Sequence, residues 1–343
     1  MFKEYTNQDA QTNFCERSQW KQLRVRYPPK KYNVGDYTHL LQPLSSIRGI
    51  YDRKKSFDAN WLNLYKELKR LNNDYDPNIQ AEHSDLNFCI HLLLQIMPII
   101  KNQPHLFNDE VDSSEWDFVV KFWGVVTECL FYGTDLLLKW SDTHLTVHDT
   151  VFDLLLKVDL RILHDRVQQR YNIETDIGVF EAAEEEPGNV KYIGDRCKVM
   201  IESKAVTDRF VFDGCLIGSV DSLQVWDLEI HFGNTTLAEP GLYVGTQFYT
   251  ATIDKPLGNV LKYFNLASHL FCFRDQCVAI TNQYEDHLIN TRSKKISTKR
   301  NIHDLPKDDL IMKQSSIRGS WNPPRTSKTS PPPPSKNLFG NDS

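Results

Sequence analysis

Between Val158 and Ile253 the hydrophobic period of the chain goes from two to about 3.6 and back to two, and this succession limits the fold more than any other feature. In KVDLRILHDR, Val158, Leu160 and Ile162 alternate with Asp159, Arg161 and Leu163, the pattern of a strand with one face toward a core. IGVFEAA, Ile177 to Ala183, is a short apolar run rich in strand formers, and Pro187-Gly188 marks a turn after it. From Lys191 to about Phe212 the spacing is helical, through Ile193, Val199, Met200, Val206 and Phe210. VDSLQVWDLEIHF and GLYVGTQFYTATI alternate again and read as two paired strands around GNTTLAEPG. Elements interleaved in this order predict an α/β (α+β) fold with a mixed central sheet flanked by helices.

The flanking regions divide the rest of the chain. Residues 1–55 read as an irregular segment, polar and interrupted by Pro28-Pro29. Residues 56–110 form a helical region: Trp61, Leu64, Tyr65, Leu68 and Leu71 make one apolar stripe, and Phe88 to Ile100 reads as a buried helix ending near Pro98. The α/β domain spans 113–289. It opens with a helix capped by Ser113 or Ser114, carrying Trp116, Val119, Val120, Trp123, Val126, Leu130 and Phe131. TDLLLKWSDTHLTVHD is ambiguous between strand and helix, QQRYNIETD reads as a polar turn, and 257–288 is helical again. Residues 290–343 form a basic, Pro- and Ser-rich tail whose composition cannot bury a core and predicts disorder.

Bulk properties narrow the function classes. A chain of 343 residues that is 40% hydrophobic and 25% charged is globular in composition. Its net charge of −5 gives no global attraction to nucleic acid, so such binding needs a local basic patch. Seven cysteines with no CxxC pair argue against a disulfide framework or zinc ribbon and suit a reducing compartment, nucleus or cytoplasm. The first residues lack the apolar core of a signal peptide, and the Phe88–Ile100 run is shorter than the roughly 20 residues needed to span a bilayer. Neither a Gly-rich phosphate loop nor a GxSxG elbow occurs.

Several residue groups compete as sites. His144 and His148 are four apart, but no third zinc ligand accompanies them, and paired surface histidines are the simpler reading. Cys272 and Cys277 lie in an apolar helical segment and read as core thiols. Glu181, Glu184, Glu185 and Glu186 form an acidic run of the kind usually found in a solvated loop. The run Arg292, Lys294, Lys295, Lys299 and Arg300 suits a phosphate contact, a nuclear-import signal or a solubilising linker. Pro331, Pro332, Pro333 and Pro334 suit an SH3 or WW domain, or a plain spacer.

CKVMIESKAV contains Glu202-Ser203-Lys204, a Glu-x-Lys triplet. Val199, Val206 and Phe210 share a helix face that leaves Glu202, Lys204 and Arg209 mostly off it, which predicts a solvated face. The order of elements around the triplet says more. A helix over Trp116–Phe131, strands carrying Asp159 and Glu181, then a helix and further strands resemble the restriction-endonuclease-like PD-(D/E)XK superfamily, over about Asp117 to Leu288. That resemblance implies a core of a helix, three strands, a helix and a further strand. It implies acids on adjacent strands that hold a divalent metal, Mg²⁺, with a lysine that stabilises phosphate charge. Carried over by position, Asp159 is the first acid and Glu181 the second, while Ala183 stands where the lysine belongs. Some members of the superfamily place the lysine on the following helix, where Lys191, Lys198 and Lys204 lie, and some add an acid from the first helix, here Glu128. The chain also resembles a group of uncharacterised fungal proteins through SEWDFVVKFWG, KVDLRI and GLYV, which implies no activity.

Asp159, Glu181 and Lys198 are therefore the catalytic candidates, and Asp159, Glu181 and Glu128 the metal candidates. Two facing carboxylates should raise at least one pKa. The missing lysine at Ala183 favours a non-catalytic nuclease-like module that binds nucleic acid or protein. The alternatives are an active Mg²⁺-dependent phosphodiesterase or nuclease with a relocated lysine and, from the second resemblance, a fungal interaction protein unrelated to nucleases.

Overall fold

The computed structural model describes residues 21–22, 25–76, 78, 84–108, 113–148, 153–168, 171–183, 189–255 and 257–297. Helix α1, Phe57–Asp74, starts where the Ser56 side chain accepts from the Ala59 amide, and it buries Leu64, Leu68 and Leu71. Helix α2, Ser84–Asn102, is buried over most of its length. Ser114 and Asp117 then form a capping box that starts α3, Glu115–Phe118. A π-helical turn, Val119–Trp123, leads into α4, Gly124–Phe131.

Three antiparallel strands follow: β1, Leu136–His148; β2, Asp153–Gln168; and β3, Tyr171–Ala183. Helix α5, Asn189–Phe212, crosses over to β4, Ser219–Trp226, which lies parallel to β3. A helical crossover is the usual way to join parallel neighbours. Strands β5, Glu229–Glu239, and β6, Leu242–Thr252, complete a six-stranded mixed sheet in sequence order. A short 3₁₀ turn, Leu257–Lys262, precedes α6, Tyr263–Ser297.

The two sheet faces carry different partners. Gly178 on β3 lets α6 approach closely: a Cβ there would lie 3.2 Å from Cys277 Sγ and 3.6 Å from Phe273. Phe180, two residues on, shares that face. Helix α5 packs on β3, β4 and β5 from the other side. The helices α1 and α2 join the same hydrophobic core as the sheet, α2 packing on α4 and α6. Among the described residues, no helix is long and apolar enough to cross a membrane.

Several sequence expectations need correction. The helix of Phe88 does not end near Pro98 but runs to Asn102, because Ile96, Met97, Ile99 and Ile100 around the proline are all buried. Burial on that scale outweighs one lost helix hydrogen bond. The ambiguous segment after Thr134 is strand β1, and Tyr171–Asp176, read as turn, belongs to β3. The described part of residues 1–55 is not irregular throughout: 3₁₀ turns over Val34–Leu41 and Pro43–Ile47 bury Leu40, Leu44 and Ile47. The basic tail does not begin at 290, since α6 continues to Ser297 and takes in Arg292, Lys294 and Lys295. Lys299, Arg300, the four prolines and Glu184–Glu186 lie outside the described residues. Cys277 is a core thiol and Cys272 is half-buried; the described cysteines are all free.

Candidate functional site

The site begins with strand register. Leu160 pairs with Phe180, and Trp140 with Leu160, so these three side chains line up across β1, β2 and β3. Side chains alternate along a strand. One step along the same register, Asp159 and Glu181 therefore sit side by side on the opposite face, under α5. The Asp159 carboxylate accepts a hydrogen bond from the Ala182 amide at 3.0 Å, which fixes it against β3. The sequence expectation that the two acids lie on neighbouring strands is met.

Helix α5 adds the rest. Lys198 and Glu202 are four residues apart and share a face. The Lys198 ammonium pairs with Glu181 Oε1 and lies 3.9 Å from Glu202 Oε1. Glu202 is 0% exposed and Glu181 3%. Glu181 Oε2 and both Glu202 oxygens have no hydrogen-bond partner. The expectation of a solvated Glu202 thus fails, although its place on a helix is right. Val199, Glu202, Val206 and Phe210 follow spacings of three and four, so Glu202 falls on the buried stripe.

Electrostatics follow from burial. The Glu181 pKa is pushed up to about 10, first by burial, then by Glu202 and Asp159, against the pull of Lys198. Glu202 is pushed up to about 8, again chiefly by burial; Lys198 works against the rise, and Asp159 and Asp176 add to it. Burial opposes the charge on Lys198, but Glu181, Glu202 and Asp159 outweigh it and raise its pKa. Glu181 is raised as expected of a facing acid, but burial and Glu202 contribute more to the rise than Asp159 does.

The other candidates lie elsewhere. Lys204 pairs with Asp208 at 2.5 Å and sits over the Tyr243 ring, so it does not join the cluster. The side chain of Lys191 is outside the described residues. Glu128 accepts from Trp140 Nε1 at 2.5 Å, and the Trp140 ring lies edge-on to Phe180. Phe180 and Glu181 project from opposite faces of β3, so Glu128 is separated from Asp159 and Glu181 by the sheet. His144 and His148 are on β1, with side chains outside the described residues.

Residues missed in the sequence extend the same face. Gln224 pairs in register with Glu181, His231 with Gln224, and Thr250 with His231. Arg196 of α5 donates to Gln224 Oε1 at 3.3 Å. His231 Nε2 lies 3.0 Å from Glu229 Oε1. No local motif marks these residues; only the pairing of β3 with β4 brings them to the carboxylates.

Asp159, Glu181 and Glu202 are near enough to act on one another's charge, and three buried oxygens of Glu181 and Glu202 lack hydrogen bonds; carboxylate oxygens are the donor type a hard divalent cation takes. Among the described residues, however, no three His, Cys, Asp or Glu side chains are already spaced as a metal site. The positive charge among these acids is the Lys198 ammonium. The site lies toward the carboxyl ends of the parallel pair β3 and β4, a common place for ligands in α/β sheets. No family model, curated protein or solved structure matches the chain.

Proposed function

We propose that the protein is a divalent-cation-dependent phosphodiesterase on a nuclease-like α/β fold, with Lys198 serving where Ala183 lacks a lysine. One observation carries the reading: Lys198, from the helix after β3, reaches Glu181 while Glu181 and Glu202 keep buried oxygens without hydrogen bonds. A cluster of this kind costs folding energy, and such clusters concentrate at functional sites. The order helix, β1, β2, β3, α5, β4, with β3 and β4 parallel, supports the resemblance to PD-(D/E)XK nucleases.

In this reading Glu181 and Glu202 would hold Mg²⁺ together with Asp159, which the Ala182 amide orients. When bound, the cation supplies Lewis-acid stabilisation of phosphoryl oxygens. Lys198 supplies a positive charge for the charge that develops on the phosphate in the transition state. Because burial raises its pKa toward neutrality, Glu202 would release a proton when the cation binds. The basic run from Arg292 adds phosphate contacts that make nucleic acid the favoured substrate. Pro331–Pro334 are a docking segment for an SH3 or WW domain. The free cysteines support a nuclear or cytoplasmic setting.

A second reading is a nuclease-like module that binds without turnover. It is favoured by the burial of Glu181 and Glu202 and by Ala183. Cleavage of single- and double-stranded DNA and RNA with Mg²⁺ or Mn²⁺ decides between them. The phosphodiesterase reading expects metal-dependent cleavage that Glu181→Gln and Lys198→Ala each abolish. Binding of the same nucleic acids with no cleavage by wild type would establish the second reading instead.

A further inference from the structure

On the sheet face away from the carboxylates, α3, the π turn, α4 and β1 enclose an open groove of about 610 Å³. Its lining is almost wholly apolar. Trp116 is 45% exposed and Tyr132 69%, with Val120 and Val125 exposed beside them. Contiguous exposed apolar side chains of this size mark an interaction site more often than isolated ones do. The single charged group in the lining is Glu128.

The groove is a constructed feature. Trp140 donates to Glu128 at 2.5 Å, and its ring is held edge-on to the buried Phe180, 5.7 Å between centroids. Gly124 permits the close approach of the π turn: a Cβ there would fall 2.8 Å from the Val119 carbonyl oxygen and 3.8 Å from the Trp140 ring. π-helical turns inside α-helices occur frequently at functional sites.

We infer that this groove binds an arginine side chain presented by a partner polypeptide, flanked by apolar residues. Charge complementarity sets the sign of the ligand, since a lone carboxylate among indole and phenol rings attracts a cation. The rings favour guanidinium over ammonium. A guanidinium is planar, weakly hydrated and stacks on aromatic faces while its fork meets a carboxylate. The valines accept the apolar neighbours of that arginine. This inference is independent of the proposed phosphodiesterase activity.

The test is titration of the full chain, followed by tryptophan fluorescence and calorimetry, with acetyl-Leu-Arg-Leu-amide and its lysine and citrulline counterparts. The arginine peptide should bind more tightly than the lysine peptide, and the neutral citrulline peptide most weakly. Glu128→Gln keeps an acceptor for Trp140 and so preserves the fold. It should weaken the arginine peptide about three- to fivefold, the scale of an exposed ion pair. Trp116→Ala should weaken all three peptides. Asp159→Ala, on the other sheet face, should leave all three unchanged. Equal binding of arginine and citrulline, an unaffected Glu128→Gln, or no binding of any peptide would each overturn the inference.

Discussion

Glu202→Gln isolates the energetic cost of the buried carboxylate cluster. Glu202 is fully buried, its oxygens have no hydrogen bond, and its pKa moves from 4.5 to about 8 on folding. The folded state therefore holds a proton that the unfolded state releases. The contribution to stability is fully present below pH 4.5 and is lost as pH rises toward 8. At pH 7 the cost is about 3 kcal/mol, and above pH 8 it approaches about 5 kcal/mol, from 1.36 kcal/mol per unit. Sharing of charge with Glu181 and Lys198 makes the upper figure a ceiling. Glutamine is nearly isosteric with the protonated acid and does not titrate. Urea unfolding at pH 5, 7 and 9 should therefore give wild type and Glu202→Gln similar stability at pH 5. The variant should gain progressively, by about 2–4 kcal/mol at pH 9. Parallel pH dependences for the two proteins would refute the placement of Glu202 in a buried carboxyl cluster.

Three further outcomes follow from other contacts. Lys30→Met removes the cation paired with Asp221, which is 1% exposed, while Tyr32 and Asn234 still donate to it; chemical denaturation should show a loss of about 2 kcal/mol. Gly124→Ala forces a Cβ to 2.8 Å from the Val119 carbonyl oxygen; calorimetry should show a lower Tm, equivalent to about 1–3 kcal/mol. Lys204→Ala should leave any metal-dependent cleavage intact, because Lys204 pairs with Asp208 rather than with the cluster; an activity loss matching that of Lys198→Ala would contradict that assignment.

Much of the fold was legible because long segments carry a clear period. The alternation of Val158, Leu160 and Ile162 gave β2, and the helical spacing of Val199, Val206 and Phe210 gave α5. Segments near balance were misjudged where tertiary packing decides, as at Pro98 and along β1. The site was half legible. Asp159 and Glu181 were found by position along the strands, and Lys198 by its place on the following helix. Glu202 reads as solvated when it is placed off the face of Val199, Val206 and Phe210, yet Val199, Glu202 and Val206 carry the spacing of one buried stripe. Glu128 went the other way. It lies on a helix that could have faced the acids, but the Trp140–Leu160–Phe180 row places it across the sheet. Gln224 and His231 had no local signal, since only the parallel pairing of β3 with β4 brings them near.

In the proposed function Asp159, Glu181, Glu202 and Lys198 form one cation-binding reaction centre, with the Lys198 ammonium among the acids. Calorimetric titration of Mn²⁺ into wild type, Glu181→Gln and Lys198→Ala tests it most directly. Removing the ammonium removes a competing charge in contact with Glu181. Lys198→Ala should therefore bind Mn²⁺ more tightly than wild type. Glu181→Gln should lose binding. Undiminished binding by Glu181→Gln, or binding by Lys198→Ala no tighter than wild type, would contradict a cation site formed by these residues.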